Sequence, residues 1–404
     1  MPVQTQKSGI DEELRALALR EDVEAAVRYL RSHDEDTLAA QIELTEIPAP
    51  PFQEDRRARR MADLLRQAGL TDVKIDGTGN VVALRPGSSQ EPPLVVSAHL
   101  DTVFPPETDV GVTRSGSLLH GPGISDDGRG LAALLALARA MDRAGLRTRA
   151  PLLFVATVGE EGIGDLRGVK GLLAEGSPVA AMHPAGFISL DGAGLERIVA
   201  RGLGSRRLRV TIRGPGGHSW TDWGTANPAH ALLELGARLC RLDLSRDPKT
   251  TLTVARLGGG KSINAIPQEA WMEMDLRSGD GDALAELVEQ VRGAVDGYLK
   301  GLDGLEHEVE TIGDRPGGAT DPESRLVRSA EAATRLLGAE PDLALSSTDA
   351  NVPMRQGIPA ITLGGGGEAG KAHTTEEWYR NTKGPDGIVR ALYVALLVAG
   401  VAED

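Results

Sequence analysis

The sequence has a single cysteine, Cys240, among its 404 residues. An intramolecular disulfide framework is therefore excluded, and a reducing compartment suits the chain. Basic charge is in deficit: 44 Lys and Arg face 58 Asp and Glu, for a net charge of -14. An acidic surface repels phosphate backbones, so a dedicated nucleic-acid binder is not expected. Long apolar runs are also missing. ALYVALLVAGVA near the C-terminus is the longest, at 12 residues, and a membrane-spanning helix needs about 20. The start, MPVQTQKSGIDEELRALALRED, lacks the apolar stretch of a signal peptide, so a soluble cytoplasmic protein is expected, with neither membrane nor nucleic acid as partner. No repeat of fixed period is present. What remains is 41% hydrophobic and 25% charged, the composition of a globular protein rather than a disordered one.

Apolar residues at helical spacing (Leu14, Leu17, Val23, Val27, Leu30) predict one amphipathic helix from Ile10 to Leu30. Further helices are predicted at Thr37–Thr45, ahead of the prolines at 48–51, and at Glu54–Gln67, with Gly69 just beyond. The texture then changes. VKIDGTGNVVALRPG reads as a hairpin, and PLVVSAHLD, PLLFVATVGEE and AGFISLDGAG as buried strands, with an apolar helix from Gly130 to Ala144 among them. This alternation implies a mostly parallel sheet covered by helices. From Gly204 the strands become half-polar: SRRLRVTIRGPGG, TLTVARLGGG, AWMEMDLRS and LEHEVETIGD, with helices at Pro228–Leu242 and Asp282–Leu299. That order suits a small α+β sandwich. The buried texture returns after Arg315, with helices at Ser324–Leu337 and Asp386–Val401 around the strand PAITLG. The expected fold class is α/β: a large, mostly parallel-sheet catalytic domain (1–204 and 318–404) with an inserted α+β domain (205–317). Residues 1–33 form a helical extension of unassigned role.

Chemistry-bearing residues collect at the predicted strand ends. His99 and Asp101, in HLD, share one face of an extended chain. A carboxylate there can fix the tautomer of a metal-bound imidazole, or the pair can serve only as a strand-end hydrogen bond. In GPGISDDGRG, two carboxylates end a glycine-rich loop before an apolar helix. Asp127 suits a helix N-cap, and Asp126 has two oxygens to offer two metals. Glu160 and Glu161 follow a buried strand, where adjacent carboxylates are costly without cations. One can ligate while its neighbour acts as a general base toward water. Asp191, in SLDGAG, and His373, in AGKAHTTEEW, complete the set. Loops at the carboxyl ends of parallel strands converge on one sheet edge. Nitrogen and oxygen donors without thiolate suit two Zn2+, with Co2+ or Mn2+ as substitutes.

Seven motifs in order, HLDTVFP, GPGISDDGRG, VGEEGIG, SLDGAG, GPGGHSW, SINAIP and AHTTEEW, resemble those of the co-catalytic zinc peptidase family of peptidase T, glutamate carboxypeptidase, acetylornithine deacetylase and succinyl-diaminopimelate desuccinylase. The resemblance runs from about Thr37 to the C-terminus. It implies that His99 and Asp191 hold one zinc, Glu161 and His373 the other, and that Asp126 bridges them. It places Asp101 behind His99 and gives Glu160 the activation of water. Asp191, where deacylase members often carry Glu, points to the di- and tripeptidase branch. The resemblance also implies a homodimer through the inserted domain, with His218 reaching the partner's site to stabilise an oxyanion. Asn264 and Arg277 match substrate-binding positions, Arg277 gripping a substrate carboxylate. Its alternative is a cross-strand salt bridge. The expected reaction is hydrolysis of an amide bond in a small peptide, with an N-acyl amino acid as the other substrate class.

Other residues are set aside. The stretch from Gly365 to Lys371 nearly matches a P-loop, but Ala372 stands where Ser or Thr must bind magnesium. The Gly364–Gly367 run is expected to let backbone, Gly365 in particular, approach a substrate cleft. His120 and His183 are left without a role. His230 is expected in helix packing, and Cys240 is expected buried and inert.

Overall fold

The computed structural model describes residues 2–402, with side chains from Gly9 onward. Contacts divide the chain into two compact units, Met1–Arg201 with Ala319–Asp404, and Gly202–Gly318.

The first unit is built on one mixed sheet. Among the described residues, seven of its nine strands run in the order Thr71–Ile75, Val81–Arg85, Leu152–Thr157, Leu94–His99, Gly186–Leu190, Ala360–Leu363 and Arg197–Gly202, and the last of these also pairs with Gly318–Ala319 and Asp342–Ser346. The four central strands are mutually parallel, and antiparallel neighbours flank them on both sides. Leu94–His99 and Leu152–Thr157 are buried along their whole length. Such strands read as unbroken apolar runs because helices cover both faces. Side chains alternate between the layers. Leu94, Val96 and Ala98 join the larger core, while Val95, Leu153, Val155 and Phe187 join a second core with helices Arg167–Leu172 and Asn351–Arg355.

The larger core explains the apolar C-terminal run. Helix Gly384–Ala399 lies beside helices Gly128–Arg143 and Arg325–Leu336. Its outer side is covered by the N-terminal helices, so nearly every residue of it is buried. The N-terminal extension forms two helices, Pro2–Ala18 and Glu21–Ser32, rather than the single one its periodicity predicts. Arg20 is extended at the break. The break lets the first helix lie on Arg325–Leu336 and the second on Gly128–Arg143, an arrangement that one straight rod would not reach. Among the described residues, no helix is long and apolar enough to cross a membrane.

The second unit is a four-stranded antiparallel sheet in the order Thr250–Gly259, Glu269–Ser278, Gly204–Arg213 and Glu306–Arg315. Helices Pro228–Leu239 and Gly281–Leu299 cover one face. Strand Glu269–Ser278 alternates strictly, with Met272, Met274 and Leu276 inward. Two expectations fail here. Cys240 is exposed, because it caps the end of helix Pro228–Leu239 where the chain leaves the core. His230 is exposed because the buried stripe of that helix runs through Pro228, Ala231, Leu232, Leu235 and Leu239.

Candidate metal centre

Topology brings the strand-end residues together. His99 closes strand Leu94–His99, Asp191 follows Gly186–Leu190, and Glu160 and Glu161 lie just past Leu152–Thr157. All three strands are parallel and adjacent, so these residues share one edge. Asp126 comes from the loop that starts helix Gly128–Arg143. His373 comes from a small four-stranded antiparallel sheet made of Thr113–Ser115, Leu118–His120, Glu368–Gly370 and Trp378–Arg380. His120 is exposed on that sheet, opposite Trp378. These strands leave no periodicity in the sequence, because three residues are too few to show a period.

Asp126 stands at the centre of the cluster. Its Oδ1 is 3.0 Å from His99 Nε2, and its Oδ2 is 3.0 Å from His373 Nε2. His373 Nε2 also meets Glu161 Oε1 at 2.8 Å, and His99 Nε2 has Asp191 Oδ1 at 3.9 Å. Donor atoms of His99, Asp126 and Asp191 lie within 4.8 Å of one another. So do those of Asp126, Glu161 and His373, and those of His99, Glu160 and Glu161. One carboxylate thus belongs to two ligand groups, with an oxygen facing each imidazole.

Burial and charge crowding perturb His99, Asp126, Asp191 and His373. Burial pushes the Asp191 carboxyl up to about 7, helped by the neighbouring charge of Asp126. Hydrogen bonds to Asp126 and Glu161 raise the His373 imidazole to about 10. Burial opposes the charging of His99, but Asp127, Asp101 and Asp126 outweigh it and lift its pKa well above the ordinary value. Burial likewise opposes the ionisation of Asp126, yet hydrogen bonds from His373 and His99 hold its pKa below the usual carboxylate range. The cluster holds more negative charge than burial tolerates without cations. Two imidazole nitrogens and carboxylate oxygens on three residues, with no thiolate, fit a pair of borderline divalent ions.

The supports of the cluster differ partly from the expected ones. His99 Nδ1 is 3.0 Å from the backbone carbonyl of Asp101, and the Asp101 carboxylate lies 3.7 Å away, beyond hydrogen-bond range. That carboxylate accepts instead from the backbone N–H of Glu160 at 2.9 Å and of Glu161 at 2.7 Å. Asp101 therefore orients the acidic pair, while its carbonyl leaves His99 Nε2 facing the centre. Asp127 caps helix Gly128–Arg143 through Gly130 N, and also accepts from His99 N and Gly192 N.

Three residues escaped the sequence reading. Arg57 is fully buried and donates to the carbonyls of Thr45, Ile47 and Leu100, with its charge behind Asp101 and Asp127. Asp349 is buried, accepts from Thr157 Oγ1 and adds its charge beside Asp191. Glu377 holds the loop that carries Asp126. A buried Arg or Glu leaves no mark in a periodicity pattern. The only signal was the doublet Glu376–Glu377 in AHTTEEW, which resembles the doublet at 160–161.

The remaining candidates are not members of these ligand groups. Gly365 is buried, its N–H bonded to Gly192 O and its carbonyl to Arg129 Nε, both at 2.8 Å. A Cβ on it would meet Arg129 Cγ at 3.0 Å and Ala133 Cβ at 3.3 Å. Close packing on helix Gly128–Arg143 leaves no room for a side chain at this position. His218, Asn264 and Arg277 belong to the second unit. His218 pairs with Ala265, next to Asn264, and both are exposed. Arg277 lies near the far end of strand Glu269–Ser278, roughly 26 Å along it from Glu269 at about 3.3 Å per residue. Its Nε donates to Asp275 Oδ2 at 2.8 Å on its own strand, not across strands.

A fold of this kind, with acidic and imidazole groups gathered at a sheet edge, defines a metallohydrolase class. The family model described as peptidase family M20/M25/M40 matches residues 95–398, and the chain belongs to that family. It is thereby a hydrolase acting on amide bonds. The chain is 27% identical over 345 residues to the succinyl-diaminopimelate desuccinylase of Corynebacterium glutamicum, covering 83% of this chain and 89% of that protein. Its fold is similar to that of aminopeptidase PepT from Bacillus cereus, with a TM-score of 0.72 at 21% identity, covering 90% of this chain and 98% of that one. A tripeptidase from Staphylococcus aureus gives a TM-score of 0.73 at 22% identity, with the same coverage. At these identities the structural likeness speaks for the fold alone.

Proposed function

We propose that the chain is a two-zinc peptidase of the cytoplasm that hydrolyses small peptides as a homodimer. The observation that carries the reading is Asp126, whose two oxygens each lie 3.0 Å from a different imidazole. In this reading His99 and Asp191 hold one cation, Glu161 and His373 hold the other, and Asp126 is shared. When bound, the cations supply an acidified water and Lewis acidity toward the scissile carbonyl. Glu160 is the general base: it takes the proton of the attacking water and returns it to the leaving amine. Asp101 supports that role by fixing the backbone N–H groups of Glu160 and Glu161. His218 of the partner subunit steadies the developing oxyanion. Asn264 and Arg277 bind substrate, Arg277 offering a bidentate grip on a terminal carboxylate.

The runner-up is deacylation of an N-acyl amino acid, favoured by the alignment with a desuccinylase. One experiment separates the two readings. Protein purified without chelator is analysed for metal and assayed on di- and tripeptides beside N-acetyl and N-succinyl amino acids. The expected result is two zinc ions per chain and turnover of peptides well above that of the N-acyl compounds. Preference for the N-acyl compounds would transfer the assignment to the runner-up. Failure of zinc-, cobalt- and manganese-loaded protein on every substrate would refute both.

A further inference from the structure

Glu377 is fully buried four positions beyond His373. Its Oε1 accepts from Ser125 N at 2.8 Å, Ser125 Oγ at 2.6 Å and Asp126 N at 2.9 Å. Its Oε2 accepts from Gly123 N at 2.8 Å, and its backbone carbonyl accepts from Gly121 N at 3.1 Å. The adjoining strand Trp378–Arg380 pairs with Leu118–His120, so the chain on either side of Asp126 and His373 is stitched together at several points. All the donors to the carboxylate are neutral. A buried carboxylate held only by neutral groups is costly, and it persists where several donors converge on it. A glutamine could not replace it, since its NH2 group would face backbone N–H on one side or the other.

We propose that Glu377 is the positioning residue of the centre: it fixes the loop of the shared carboxylate Asp126 against the loop of His373 and so sets both cation positions together. The inference rests on the two-cation reading above. Asp126 has its N–H on Glu377 and its side chain between the two imidazoles. Freeing that N–H frees the backbone from which the shared carboxylate projects, and both ligand groups lose their common member. His373, whose backbone φ is 65°, depends on the same short segment for its place.

The test is zinc affinity, measured by competition with a chromophoric chelator, on E377Q and on E376Q. Glu376 is exposed and paired with Lys371, and it serves as the control. E377Q is expected to bind zinc about 10- to 100-fold more weakly, the usual effect of losing a group that orients ligands. Activity should return at high zinc, with the half-saturating concentration shifted by the same factor. E376Q should match the wild type. A role confined to stability would lower the melting temperature of E377Q and leave its zinc affinity unchanged, and that result overturns the inference. If E377Q is insoluble, Ser125→Ala removes one donor and should weaken zinc binding by about two- to tenfold, the worth of one hydrogen bond. Unchanged affinity there also overturns it. Wild-type protein that binds no divalent cation would overturn the centre and this inference together. Wild type with two zinc ions and an unshifted E377Q overturns this inference alone.

Discussion

Asp126 Oδ2 and His373 Nε2 lie 3.0 Å apart although 247 positions separate them in the chain. The other oxygen of the same carboxylate meets His99 at the same distance. Asp126→Asn replaces one of those oxygens with an amide group that is a poor ligand. Both cations should then be lost on dialysis, whereas Asp191→Asn should remove one and leave the other. Metal analysis of the two dialysed variants checks this. Equal losses would mean that Asp126 is not shared.

Glu160→Gln keeps the shape of the side chain and removes its basicity. Turnover should fall by about 10²- to 10⁴-fold, the contribution of a positioned base. Zinc content and melting temperature should stay at wild-type values. A pre-steady-state assay with zinc-loaded protein reads the loss directly.

Proton release follows from the raised pKa values. In the metal-free protein His373 titrates at about 10 and Asp191 at about 7. At pH 7 the first is therefore protonated and the second about half protonated. Both must lose their protons to ligate, so cation binding should eject more than one proton per chain at pH 7. As pH rises from 6 to 8 the Asp191 proton is progressively lost before the cation binds, so release falls while apparent affinity rises. Each proton released contributes about a tenfold gain in affinity per pH unit. Calorimetry in buffers of differing ionisation enthalpy measures the number. An affinity independent of pH over this range would contradict the shared site.

Arg57 binds three backbone carbonyls with one guanidinium in a place closed to water. Arg57→Ala leaves those acceptors unpaired and opens a cavity. Denaturant unfolding should show a loss of about 3–5 kcal/mol, as for breaking a buried charged network. Arg57→Lys should recover only part of it, since one ammonium cannot span the fork.

Local chemistry made much of this protein legible in advance. The apolar strands at 94–99, 152–157 and 186–190 show in the sequence because burial on both faces removes polar residues from the whole run. The alternating strand 269–278 shows for the opposite reason, with one face packed and one not. His99, Glu160, Glu161 and Asp191 stood out because charged groups at the ends of apolar strands are costly without a purpose, and Asp126 because it closes a glycine-rich loop before an apolar helix. Tertiary structure decided what no local pattern carries. It set the break at Arg20, which depends on two separate helices lying in wait for the two halves. It turned Cys240 outward and packed Gly365 against Arg129 and Ala133. It buried Arg57 and Glu377 as anchors for loops far away in the chain. Residue type and spacing determine which groups can bear charge at a strand end; only the closing of the chain decides which distant backbone amides and carbonyls those groups must satisfy, because a hydrogen bond across hundreds of residues costs loop entropy that packing of the whole unit repays.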